Sequence, residues 1–405
     1  MITGRDIIIV GLQPWDIPIG SNCKNIADEL SRFNRVLYVN PPLDRGTYLR
    51  RRKDPFVQKR LKVIHGEENG LVQVKNNLWN LYPESLAESI NWINNRLLFS
   101  ALNKINNKRF AASIKQAIDK LGFKNYILFN DQSMIRCYSL KELLAPNLFV
   151  YYIRDNLSTI PYFQRHALKM EETLIAKADV VATNSEFLAA YARKFNSNAA
   201  MVGQGCDFTL YSNPEKIPVA LELLPLPRPT IGYVGFLTSV RLDIPLLEYI
   251  ARKRSDWNIV LVGPEDDDFR KSELHKMKNV FFMGNKSPDT LPSFIQGFDV
   301  ALNPQVVNEV TMGNYPRKID EYLAMGKPTV ATKTPFMEYF RDYTYLASTK
   351  EEYIVMIEKA LQENNKEFQA MRRNFALTHT WENNVEAISK LIESNTENKH
   401  FNLFK

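Results

Sequence analysis

The sequence predicts an α/β protein made of two doubly wound, Rossmann-like domains. Three observations lead there. Short apolar runs alternate with helical segments through nearly the whole chain. The runs are continuously apolar instead of alternating, as parallel strands covered on both faces require. The series also occurs twice, separated by a stretch rich in proline.

The first series opens with DIIIVGL (6–12), followed by SNCKNIADELSRF (21–33) and RVLYVN (35–40). That order is strand, helix, strand on the scale of a βαβ unit. NYILFN, LFVYYI, DVVATN and AAMVGQ supply further buried strands. Between them, Trp79 to Leu121 reads as long and mostly helical. Its Trp92, Leu97, Leu98, Phe99 and Leu102 read as packing on the sheet, with contact to a membrane surface as the alternative. Asn213 to Thr230 holds five prolines and reads as a stiff extended connector. The second series then runs TIGYVGF, a helix from Ile244, WNIVLVG, NVFFMG, DVALNP and PTVAT. The predicted organisation is a first domain over 1–215, a linker over 216–230, a second domain over 231–375 and a helix over 376–395 that returns to the first. The tail from Asn395 reads as loosely ordered. Ligands of such sheets sit beyond the carboxyl ends of the strands, in a cleft that the two domains would face.

Composition narrows the function. In 405 residues there is no apolar run of membrane-spanning length, and MITGRDIIIVGL lacks the basic start of a signal peptide. Cys23, Cys137 and Cys206 form no C-x-x-C pair, so reduced thiols and a cytoplasmic setting are expected. Five scattered histidines argue against a metal site, and the adjacent Asp266, Asp267 and Asp268 cannot all face one ion. Net charge is +7, with Arg45, Arg50, Arg51, Arg52, Lys53, Lys59, Arg60 and Lys62 crowded together. That cluster suits either a solvated loop or an anionic membrane, placing the protein at the inner face of the membrane. No nucleic-acid motif accompanies it. After the first strand only Gly11 is present, which disfavours a dinucleotide dehydrogenase.

The chemistry concentrates in PRKIDEYLAMGKPTVAT (316–332), read as loop, helix and buried strand. Pro316 suits a helix start, Gly326 a left-handed end, and Pro328 blocks continuation. The helix start carries Arg317, Lys318 and Glu321. Exposed backbone N–H groups and a lysine favour phosphate, and a carboxylate one turn in can accept from the two hydroxyls of a ribose. Side by side, these suggest a nucleotide-sugar site.

IGYVGFL (231–237), NIVLVGP (258–264), NVFFMG (279–284), LPSFIQGFDVALNP (291–304) and PRKIDEYLAMGKPTVAT, in this order, resemble the GT-B glycosyltransferases of the retaining family 4-like group. The likeness continues upstream, more weakly, through Glu171, LIAKADVVATNS and VGQGCD. It implies transfer of a sugar from a UDP- or GDP-linked donor to an acceptor hydroxyl, with retention and without metal or other cofactor. By this likeness Glu321 holds the ribose and Lys318 the diphosphate. The first glutamate of the family's Glu-x7-Glu pattern is replaced by Gly313, which leaves the donor sugar open. Arg241 is the candidate second cation, against a surface arginine paired with Asp243 or Glu248. Gly235, Pro264, Asn285 and Thr311 belong to the strand-end loops expected to line the donor site.

On the first domain, Gly20 precedes a helix start suited to phosphate or acceptor. Asp16 and Asp155, at strand ends, are candidates to bind an acceptor hydroxyl or act as base, against capping or turn roles. His166 reads as a packed or surface histidine, and Glu171 as a domain-interface residue. The acceptor implied is a glycan or lipid-linked glycan, in surface polysaccharide or glycolipid synthesis. A non-catalytic nucleotide-sugar sensor and an epimerase on the same fold remain as alternatives.

Overall fold

The computed structural model describes residues 1–17, 20–157, 160–313 and 315–402. The chain forms two compact units. The first comprises Met1–Gly203 with Trp381–Lys405, the second Gln204–Thr380.

Among the described residues, the first unit contains one eight-stranded sheet: β1 (Asp6–Val10), β2 (Arg35–Val39), β3 (Leu71–Lys75), β4 (Leu78–Leu81), β5 (Ile127–Asp131), β6 (Leu148–Ile153), β7 (Val180–Thr183) and β8 (Ala199–Met201). Its order is β3-β4-β2-β1-β5-β6-β7-β8. Only the β3–β4 pair is antiparallel. Ile8 and Val10 bury against the long helix Arg96–Leu121 through Phe110 and Ile114. Ile7 and Ile9 bury on the other face with Cys23 and Ile26 of the helix Asn22–Leu30. Val385 and Ile388 of the last helix, Trp381–Asn402, join that second face. Burial on both faces is why the strands read as unbroken apolar runs.

The second unit carries a six-stranded parallel sheet of order β11-β10-β9-β12-β13-β14. The strands are β9 (Thr230–Val234), β10 (Asn258–Val262), β11 (Val280–Gly284), β12 (Val300–Asn303), β13 (Thr329–Thr332) and β14 (Tyr345–Ala347).

The structure corrects several expectations. The division between units falls after Gly203, not near 215. Within the second unit, Cys206 N–H donates to the His379 carbonyl and Arg373 to that of Ser212, drawing 204–215 into it. The proline-rich stretch 216–230 is no free linker. It folds into tight turns there, with Leu223 buried and Arg228 bonded to the Gly297 carbonyl and Asp299. Trp79 lies in a strand, because Leu78–Leu81 pairs with both β2 and β3. Phe99 is buried, though against Ile90, Ile93 and Met170 and not on the sheet, and Trp92, Leu97 and Leu98 stand exposed. The last helix continues past 395 to Asn402.

Candidate functional site

In the second unit the helix Arg317–Ala324 follows its N-cap Pro316. At its other end Gly326 adopts φ +70, its N–H donating to the Leu323 carbonyl while that of Lys327 reaches the Tyr322 carbonyl. This double bond pattern satisfies the last carbonyls and needs a residue tolerant of the left-handed region. Ile319, Asp320, Tyr322 and Leu323 are buried. The Tyr322 hydroxyl accepts the Val234 N–H at 2.9 Å, locking the helix to the carboxyl end of β9. Arg317, Lys318 and Glu321 are left at the helix start.

Lys318 lies over Gly235. A Cβ built on Gly235 would stand 2.1 Å from Lys318 Cε and 2.7 Å from Nζ. A Cβ on Gly263 would stand 1.9 Å from the Gly235 carbonyl oxygen. Both glycines have φ near +140° (+141 and +146), so the ends of β9 and β10 close on one another without side chains. The ammonium lies 5.4 Å from the centre of the Tyr233 ring and, among the described residues, makes no salt bridge. Such a cation above exposed backbone suits an oxyanion.

Glu321 has a side chain 13% exposed, 3.4 Å from Arg317. Burial pushes its carboxyl up, while Arg317 and then Lys318 oppose the shift. Cys206 and Tyr211, both buried, feel its charge, which together with burial raises them.

The flanking loops are tied together. Asn308 Nδ2 donates to the Val240 carbonyl, Val306 N–H to that of Arg241, and Asp243 N–H to that of Pro304. Arg241 is exposed and makes no ion pair among the described residues. Asp243 caps its own helix and Glu248 pairs with Arg252. Pro264 and Asn285 sit exposed just past β10 and β11. Thr311 differs from its expected role as a ligand contact. It is buried, and its hydroxyl accepts from Asn308 N–H and donates to the Val306 carbonyl, completing a capping box. Gly313 ends that short turn at an ordinary φ of −102. Asp266 caps the helix Asp267–Lys271 and binds Ser239, accounting for one member of the aspartate run.

One cluster was not foreseen. Asp320, fully buried, bonds His379 Nδ1 at 2.7 Å, and Tyr339 hydroxyl lies 2.9 Å from Nε2. Burial raises the Asp320 carboxyl against the opposing pull of His379. Asp320 and His379 are 59 residues apart, so no local pattern announces the pair.

In the first unit, Asp16 is held by Arg60 at 2.8 and 3.1 Å. Burial alone would raise its carboxyl, but the guanidinium holds it below the usual range. That ion pair anchors a loop to the helix Pro55–Ile64 and does not suit a general base. Gly20 is exposed before Ser21, which caps the helix Asn22–Leu30. Asp155 has a side chain 43% exposed beside Arg154, whose main partner is the buried Asp131 at 3.1 Å. Glu171 lies in the interior, accepting from Gln132 Nε2 at 3.0 Å and Tyr151 hydroxyl at 3.2 Å, and burial raises its carboxyl to about 7. His166 stacks on Phe99 and bonds the Ile93 carbonyl, a packed histidine. A cavity of about 750 Å³ beyond β1 and β5 is lined by residues that include Arg50, Ser89, Trp92, Arg136 and Tyr162.

Residues 228–363 match the family model described as Glycosyl transferases group 1. TuaH of Bacillus subtilis (strain 168), provisionally named as a teichuronic acid biosynthesis glycosyltransferase, is 27% identical over 240 residues, 56% of this chain. The chain spans 60% of that relative's length in the match. Among solved structures, Anabaena Alr3699/HepE in complex with UDP superposes with TM-score 0.66 at 15% identity, covering 96% of this chain and 100% of that one. A trehalose-6-phosphate protein of Escherichia coli, bound with UDP-2-fluoro glucose, gives TM-score 0.67 at 13% identity, covering 95% and 98%. These superpositions establish the fold.

Proposed function

We propose that this chain, which has the GT-B fold and a Glycosyl transferases group 1 domain over 228–363, transfers a sugar from a nucleoside diphosphate sugar to an acceptor hydroxyl. The observation that carries the reading is Lys318, held over the Gly235 backbone with no salt bridge among the described residues, beside Glu321, which Arg317 contacts at 3.4 Å. The lysine suits the diphosphate, and among the described residues Arg317 bonds only one of the Glu321 carboxylate oxygens, leaving the other for ribose hydroxyls. The UDP and UDP-sugar named with the two structural neighbours support a uridine donor.

In the reaction, the bond from the anomeric carbon to the diphosphate oxygen breaks and the bond to the acceptor oxygen forms. The acceptor's proton passes to the departing phosphate. Lys318 stabilises the charge that develops on the leaving group, with Arg241 as second cation. Retention follows if attack occurs on the face that the diphosphate leaves. No metal is assigned, because the cations can serve the leaving group. The teichuronic acid biosynthesis in TuaH's name supports a setting in surface polysaccharide synthesis, which we place on the cytoplasmic side.

Thermal shift with UDP, GDP and their sugars tests the donor site. A ligand that binds the folded state raises Tm by mass action. One nucleotide should stabilise the wild type and lose that effect in Lys318→Ala and Glu321→Ala. No response in folded wild type overturns the site. Nucleotide binding with neither transfer nor slow donor hydrolysis would instead favour a sensor.

A further inference from the structure

We propose that one face of the first unit docks on an anionic lipid bilayer. Three segments build this face. The helix Arg45–Arg50 exposes Leu49 (70%), the following loop holds Arg52 and Lys53, and Trp92 is 73% exposed. The helix Arg96–Leu121 then exposes Leu97 (84%) and Leu98 (51%). Hydrogen bonds hold these segments to one another. Gly46 N–H donates to Ser89 Oγ, and Trp92 Nε1 to the Ser89 carbonyl, leaving the indole ring in solvent. Asn106 bonds the backbone of Glu88 in both directions, fixing the long helix to the same loop.

Charge decides the partner. From Arg96 to Ile118 there are five basic residues and no acidic one, and 45–53 likewise contains no acid. Arg45 and Arg109 share Glu88, and Arg51 pairs with Asp54. Among the described residues, Arg50, Arg52, Lys53, Arg96, Lys104 and Lys108 make no ion pair. Exposed leucines and a tryptophan ringed by uncompensated cations match the boundary of an anionic leaflet, where the rings and aliphatics enter and the cations meet head groups. A second copy of the chain is a poor occupant, since a two-fold contact would set like charges against each other. A polynucleotide gains nothing from exposed leucines. The cavity lined by Arg50 and Trp92 shares these residues with the face, so an acceptor carried by the same membrane would arrive beside it.

The second unit provides an internal control. Leu221 and Leu224 are 79% and 63% exposed but lie beside Glu222, whose carboxylate neutralises Lys286 at 2.9 Å, so they are not set among uncompensated cations.

Cosedimentation of the full chain with vesicles of phosphatidylcholine, with and without phosphatidylglycerol, tests the inference independently of any transfer activity. Wild type should bind the anionic vesicles and not the neutral ones. Trp92→Ala with Leu97→Ser and Leu98→Ser should lower partitioning at least about tenfold. Lys104→Gln with Lys108→Gln should lower it on the order of fivefold per charge removed. Leu221→Ser with Leu224→Ser should change nothing. The substituted side chains are exposed, so unchanged Tm confirms that folding is intact. Absence of binding by wild type, equal binding to neutral vesicles, or equal loss in the Leu221 and Leu224 variant each overturns the proposal. So does concentration-dependent dimerisation that the Trp92, Leu97, Leu98 variant abolishes.

Discussion

The two sheets share a parallel architecture, yet their carboxyl ends differ in chemistry. In the first unit the charges near the strand ends are spent on one another, as Asp131 with Arg154 and Asp16 with Arg60. In the second, glycines bring bare backbone to the strand ends and Lys318 stands over them without a salt bridge among the described residues. A charge already paired inside the protein has little left for a ligand. An unpaired one on rigid backbone is preorganised for it. The comparison is why the proposed donor site is placed in the second unit.

The largest expected effect is at the glycine contact. Gly263→Ala forces a Cβ to 1.9 Å from the Gly235 carbonyl at a φ of +146. Backbone cannot yield as a side chain can, so destabilisation of more than about 3 kcal/mol is expected in urea melts. Gly235→Ala meets the flexible end of Lys318 and, at 3.0 Å, the Tyr233 hydroxyl, besides the strain of its own φ, and should cost about 1–3 kcal/mol. It should also abolish nucleotide binding as thoroughly as Lys318→Ala does, because the ammonium is displaced. Nucleotide affinity near wild type in folded Gly235→Ala would break the contrast between the two units.

Next comes the buried carboxyl of the first unit. Glu171 has its folded pKa raised from 4.5 to about 7 by burial. The folded state thus retains a proton that the unfolded chain loses, and stability falls as pH rises between those values. The slope is about 1.4 kcal/mol per pH unit within that window. Gln in its place still accepts from Gln132 and Tyr151 through its carbonyl oxygen but cannot ionise. Glu171→Gln should match wild type near pH 4.5 and exceed it by about 3 kcal/mol at pH 8. Parallel pH profiles for the two proteins would show that the carboxyl is already ionised in the fold.

These tests also explain what the sequence disclosed. The second unit was legible because Pro316 to Thr332 holds the helix start, its cap and the following strand in one contiguous segment. The strands of both units were legible because two-sided burial leaves them uniformly apolar. The Asp320–His379 pair and the setting of Glu171 were not, since topology alone brings those residues together. The proline-rich stretch misled for a related reason. Prolines suit stiff connectors, but the tight turns here pack Leu223 into the second unit. Exposure of Trp92, Leu97 and Leu98 was likewise hidden, because apolar residues in a segment that reads as helical read as core until the neighbouring elements are placed.

The smallest effect expected is at Arg241, and it sharpens the comparison most finely. Its backbone carbonyl accepts the Val306 N–H and its loop is tied to Asn308 through Val240, so its Cα position is fixed. Its side chain is exposed and makes no ion pair among the described residues. Arg241→Ala should therefore leave stability unchanged within about 0.5 kcal/mol. If the guanidinium serves as the second cation on the leaving diphosphate, kcat should fall roughly tenfold or more with modest change in nucleotide affinity, since the charge it meets grows in the transition state. A parallel loss of affinity and rate would make it a ground-state contact. No change in either would leave Lys318 to act with the helix start alone, and the second unit's anion site would rest on backbone and one lysine.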